Sequence, residues 1–100
     1  MKIHETGHYE RKILALKKGK DILEILKGEG GEIPPSLSVF RRWGAVVLPI
    51  EGKYLLLTKT GEGRIYFTIA EYLNVNIPRR IPDGILLGII KKIRDIINSS

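Results

Sequence analysis

One stretch limits the folds open to this chain more than any other: Leu37-Ser-Val-Phe-Arg-Arg-Trp-Gly-Ala-Val-Val-Leu-Pro-Ile-Glu-Gly-Lys-Tyr-Leu-Leu-Leu-Thr-Lys-Thr-Gly61. Leu37, Phe40 and Trp43 recur at helical spacing, while Ser38, Arg41 and Arg42 fall on the other side of the same short helix. Gly44 stops that helix. The runs 45–48 and 54–59 are rich in strand formers, and the interval 49–53 between them has the length of a hairpin loop. A helix, a glycine stop and a hairpin within so few residues commit the chain to an α+β architecture.

The flanking segments extend the pattern. From Glu10 the apolar residues Ile13, Leu14 and Leu16, then Ile22, Leu23, Ile25 and Leu26, recur at spacings of three and four and predict helix; Gly19 either bends it or divides it in two. Residues 1–9 show no clear period and read as an arm or a short edge strand. Gly28-Glu-Gly-Gly31 supplies a helix stop, Pro34 and Pro35 enforce extended backbone, and Ser36 or Ser38 is placed to cap the next helix. After Gly63, the spacing of Ile65, Ile69 and Leu73 predicts a further helix over 64–73, and 74–83 reads as a loop stiffened by Pro78 and Pro82. The last element, 83–98, carries Ile85, Leu86, Ile89, Ile90, Ile93, Ile96 and Ile97 in a broad apolar stripe. The stripe is wider than a small domain needs from its terminal helix. Ile85, Ile89, Ile93 and Ile96 are therefore the candidate contacts between two copies of the chain.

Composition narrows the functional classes. At 100 residues, 43% of them hydrophobic, the chain reads as one globular domain. It has no Cys, which excludes disulfides and cysteine-ligated zinc. It also lacks Gln, has three Asn and abounds in Ile, Leu, Lys and Glu, the composition of a thermophilic protein. No apolar run approaches the roughly 20 residues of a membrane span. Charges scattered from Met1 to Lys12 leave no secretory signal in view, so a cytoplasmic location is expected. The net charge of +6 favours polyanionic partners, although it is spread evenly, about +2 on each third of the chain.

The segment Trp43-Gly44-Ala45-Val46, followed by Gly52-Lys53-Tyr54 and Leu57-Thr58-Lys59-Thr60-Gly61, resembles the winged helix-turn-helix superfamily of DNA-binding proteins. The resemblance covers residues 20–62. The helix at 83–98 is similar to the dimerisation helix appended to small archaeal members of the Sso10a-like type. Two departures are visible. Only 12 residues separate Gly31 from Gly44, room for one helix where the family places two, and the second hairpin strand is one residue longer than usual. The implied fold class is α+β: a winged helix-turn-helix with a shortened helix-turn-helix part, a β-hairpin wing and an extra C-terminal helix.

The implied function is that of a double-stranded DNA-binding homodimer, a transcription regulator or chromosome-associated protein. In such a protein the helix enters the major groove and the wing touches the backbone. Arg41 and Arg42 have the forked donors that suit guanine or phosphate, Lys53 and Lys59 suit phosphate, and Ser38 offers a hydroxyl. Arginines on the helix and lysine at the hairpin turn are then expected to face one duplex together. The alternative is a winged-helix module used for protein contacts without DNA reading, which a second exposed apolar patch would mark.

Other signals are weaker. The segment 68–75 looks like the positioning helix of a helix-turn-helix, but Pro78 and Pro82 fall where the recognition helix would follow. His4 and His8 stand four apart with Gly7 between them and no third ligand near, so no metal site is expected. Gly28 to Gly31 follows a helix rather than a strand and reads as a cap, not a phosphate loop. No nucleophile, base and acid set stands out, so neither enzymatic activity nor a cofactor is expected. Trp43 is expected to pack against the hairpin. Arg79-Arg80, between two prolines, is a second basic pair that either flanks DNA or is simply solvated.

Overall fold

The computed structural model describes residues 17–99, which form three helices and a four-stranded mixed sheet. In chain order these are α1 (Lys17–Gly28), β1 (Gly31–Glu32), α2 (Ser38–Trp43), β2 (Val46–Ile50), β3 (Lys53–Lys59), β4 (Ile65–Ala70) and α3 (Gly84–Asn98). The sheet order is β1-β4-β3-β2; β1 runs parallel to β4 and the other pairs are antiparallel. The α+β expectation holds at this level. His4 and His8, and the first part of the N-terminal helical pattern, lie outside the described residues.

Strand alternation divides the sheet's side chains between two cores. On one face Leu48, Ile50, Leu55, Leu57, Phe67 and Ile69 pack against Ile22, Leu23 and Leu26 of α1 and against Leu86, Ile89, Ile90 and Ile93 of α3. The two helices run antiparallel, because Lys18 Nζ at the start of α1 donates to Ile97 O at the end of α3, 3.0 Å away. Lys92 meets Glu29, just past the C-terminus of α1, at 2.6 Å. On the other face a smaller core of Leu37, Phe40, Ala45, Leu56, Ala70 and Ile77 forms beneath α2 and the loop that follows β4. Helix α1 continues through Gly19 without a break.

Three expectations are corrected here. Residues 65–70 are strand, not helix, so neither the helix at 64–73 nor a positioning helix at 68–75 is formed. The spacing of Ile65, Ile69 and Leu73 fits a four-residue helical step and a two-residue strand step equally. Burial of both faces of β4 left no polar alternation to separate them. Secondly, α1 and α2 belong to cores on opposite sides of the sheet, so they do not pack on each other as the two helices of a helix-turn-helix do. Thirdly, the stripe on α3 is spent within the chain. Ile89 and Ile93 are buried in the larger core, Ile96 packs at its margin, and of the four expected dimer contacts only Ile85 is exposed.

The hairpin forms where expected, but its strands extend into the 49–53 interval and leave a tighter turn. Its two-residue turn, Glu51 and Gly52, has positive φ at both positions, 52° and 79°, the mirrored turn whose twist suits paired strands.

Candidate nucleic-acid interface

Arg41 and Arg42 lie in the last turn of α2, which Gly44 ends with φ 77° while its N–H donates to Phe40 O at 2.8 Å. Arg42 is exposed, and its guanidinium carbon sits 5.3 Å from the centre of the Trp43 ring, within cation–π range. Arg41 is half-buried, and its Nε is buried without a hydrogen-bond partner among the described residues. Ser38 is exposed at the start of α2; its hydroxyl lies 2.7 Å from that of Ser36, which also accepts the Ser38 backbone N–H. Ser36 thus satisfies one of the free amides at this helix start.

Trp43 covers Gly61, the glycine that closes the hairpin segment after β3, where a side-chain carbon built on Gly61 would stand 2.8 Å from Trp43 Cη2. The indole needs a bare backbone there, and Gly61 provides it.

Lys53 and Lys59 stand elsewhere. Lys53 pairs in register with Ile50 and Lys59 with Ile65, residues of the larger core, so both lysines belong to the sheet face covered by α1 and α3. They mark opposite ends of β3, about 20 Å apart at the usual rise per residue. Lys59 is further engaged by Asp83, 3.5 Å away. The expected union of helix arginines and hairpin lysines on one side of the molecule is therefore not formed. Arg41 and Arg42 ride on one face of the sheet and the lysine side chains belong by register to the other, although Lys59 borders the arginines through its carbonyl, which accepts from Arg80, and through Asp83.

The structure brings a different pair to the helix arginines. After β4 the chain crosses the smaller core, burying Ile77, and runs beside the entry to β2, where Ala45 bridges Arg79. Ala45 N–H donates to Pro78 O at 2.9 Å, and Arg80 N–H donates to Ala45 O at 3.2 Å. Gly44 makes this approach possible: a Cβ there would lie 3.2 Å from both Arg80 Cβ and Pro78 O. Arg80 turns inward, its Nη1 donating to Lys59 O at 2.7 Å and to Thr58 Oγ1 at 3.1 Å. Arg79 turns to solvent. Two Arg-Arg pairs distant in sequence thus meet around Gly44 and Ala45, and among the described residues none of the four forms a salt bridge with a carboxylate.

Asp83 closes this corner. Its side chain caps α3 by accepting the Leu86 N–H at 2.9 Å, which lowers its pKa below the ordinary carboxylate value; partial desolvation opposes the shift, and the charges of Lys59 and, more weakly, Arg80 reinforce it.

The loop also carries apolar residues in the open. Val75 is 94% exposed, Ile81 90% and Tyr72 80%. Sequence periodicity had no means of marking them, because a loop has no period. The available signal was local: Ile77-Pro-Arg-Arg-Ile-Pro82 sets an apolar residue beside a basic pair between two prolines.

Among the described residues no group of His, Asp and Glu is arranged to hold a metal ion, and no helix is long and apolar enough to cross a membrane. Fold and site together define a small α+β protein with two helices on one face of its sheet and an arginine-rich corner on the other. No family model, curated protein or solved structure matches the chain.

Proposed function

We propose that this protein binds double-stranded DNA through the corner formed by Arg41, Arg42, Arg79 and Arg80. One observation carries the reading: the Ala45–Arg79 bridge gathers two arginine pairs, none of which forms a salt bridge with a carboxylate among the described residues, Asp83 acting on Arg80 only through space. Like charges held together raise the energy of the free protein, and a polyanion relieves that cost while releasing its condensed counterions. Arg42 and Arg79, both exposed, are the phosphate contacts; Arg80 fixes the backbone on which Arg79 rides. Binding of this kind positions the protein on the duplex without much base reading, as a chromosome-associated protein requires. It does not use a winged-helix docking mode, because the hairpin turn and Lys53 lie away from the arginines.

The test is a fluorescence titration of a labelled duplex over a range of salt. Replacing Arg42 and Arg79 together by Ala is expected to reduce the slope of log K against log salt by about 2, close to one for each phosphate contact. Lys53→Ala is expected to leave affinity and slope nearly unchanged. An arginine variant that keeps the wild-type affinity and slope would show that the gathered arginines are not the binding surface.

A second reading rests on Tyr72 and Val75. Exposed apolar side chains of this size on one loop suit a protein partner. On that reading Tyr72→Ser with Val75→Ser abolishes partner binding and leaves DNA affinity intact.

A further inference from the structure

Ile81 is, with Val75 and Tyr72, one of the large apolar residues to which packing gives no role. It is 90% exposed, yet the segment bearing it is tied to the body of the molecule on both sides. Pro78 O and Arg80 N–H bond to Ala45, the Arg80 guanidinium bonds to β3, Pro82 follows directly, and Asp83 caps α3. An exposed apolar side chain on a loose loop folds back or moves aside. Here hydrogen bonds at Pro78, Arg80 and Asp83 restrain the backbone on either side, and Ile81 is presented to solvent. With Arg80 turned inward, its neighbours Arg79 and Ile81 both turn outward, so a cation and an apolar tip project from one rigid strip.

We propose that Ile81 is a wedge that enters between base pairs of the bound duplex, opening one step and bending the DNA, while Arg79 holds the adjoining phosphate. The inference rests on the DNA reading above. Apolar side chains beside basic ones act in this way in proteins that bind the minor groove, where unstacking a step is repaid by closer wrapping of the bent duplex. Preorganisation is the physical requirement. A flexible loop would lose conformational entropy on insertion, whereas this one is already fixed by the fold.

The test uses a duplex of about 20 base pairs, a length suited to reading a bend, with a donor and an acceptor dye at its ends. Wild-type protein is expected to shorten the end-to-end distance by a bend in the range of about 20 to 90°. Ile81→Ala should keep the thermal midpoint and the salt slope, lose most of the bend, and bind less than about tenfold more weakly, since phosphate contacts supply most of the affinity. Ile81→Leu should restore the bend.

A straight duplex in the wild-type complex, or an unchanged bend in Ile81→Ala, overturns the wedge and leaves DNA binding standing. No binding by wild-type protein overturns the DNA reading and the wedge with it. Ile81-dependent binding to vesicles of anionic lipid, without any Ile81-dependent bend, assigns the tip to a lipid surface instead and also overturns the proposal.

Discussion

At the scale of single residues, several polar side chains around the arginine corner hold the structure in place. Arg80, Asp83, Ser36 and Thr58 each satisfy a nearby donor or acceptor. Asp83 yields a pH prediction. Because its folded pKa is depressed, chiefly by the Leu86 N–H, its stabilisation is complete above the ordinary carboxylate value and is lost as pH falls through the lower, folded one. Unfolding free energy of the wild type should therefore drop below about pH 4 more steeply than that of Asp83→Asn, which keeps a capping oxygen that does not titrate. At neutral pH, Asp83→Ala should cost about 1 kcal/mol, the usual worth of such a cap. Denaturant unfolding followed across pH checks both.

At the scale of elements, the exposed edge of β2 sets how the sheet meets other chains. Ile50 and Lys53 flank a two-residue turn, so the backbone groups of alternate residues, at 45, 47 and 49, point away from β3. Ala45 is taken by Pro78 and Arg80, and Pro49 has no N–H to give. Only Val47 can both donate and accept there. The edge is thus closed at one end by the crossing loop and blunted at the other by proline, two devices that discourage sheet-to-sheet pairing. Pro49→Thr restores the missing donor. We expect it to raise self-association, seen as a concentration-dependent increase in sedimentation coefficient that the wild type lacks.

Much of this level was legible in the sequence and some was not. Helix α3, the end of α2 at Gly44 and the hairpin all follow from local signals: an apolar stripe at helical spacing, a glycine stop, and two strand-forming runs separated by a short interval; the Asp83 cap and the two-residue turn emerge only from the structure. Strand β4 was misread because both of its faces are buried, which erases the alternation that distinguishes strand from helix.

At the scale of the whole molecule, two layers of helix and loop enclose one sheet, and the larger core draws on α1, α3 and three strands at once. Ile93, fully buried within it, belongs to the chain's own stability. Ile93→Ala should cost about 2 to 5 kcal/mol, the range for deleting a buried isoleucine side chain to alanine, against a total of about 5 to 15 for a domain. Urea titration should show the loss as a lowered midpoint. Were α3 instead a dimer seam with a chain-internal core untouched by Ile93, the same substitution would change the sedimenting mass and leave the unfolding midpoint of the monomer in place.

The sequence alone determined that this chain is a basic α+β protein, with a short arginine-bearing helix, a glycine stop, a tight hairpin and a long apolar terminal helix. Those are consequences of neighbouring residues acting on one another, through caps, turns and periodicity, and need no knowledge of the fold. Which residues share a surface was decided only in three dimensions. Register put Lys53 and Lys59 on the face opposite Arg41 and Arg42, and the crossing loop carried Arg79 to the end of α2. Closeness along the chain is no guide to closeness in space once a sheet stands between two elements, because a strand's side chains alternate sides and each helix must choose one.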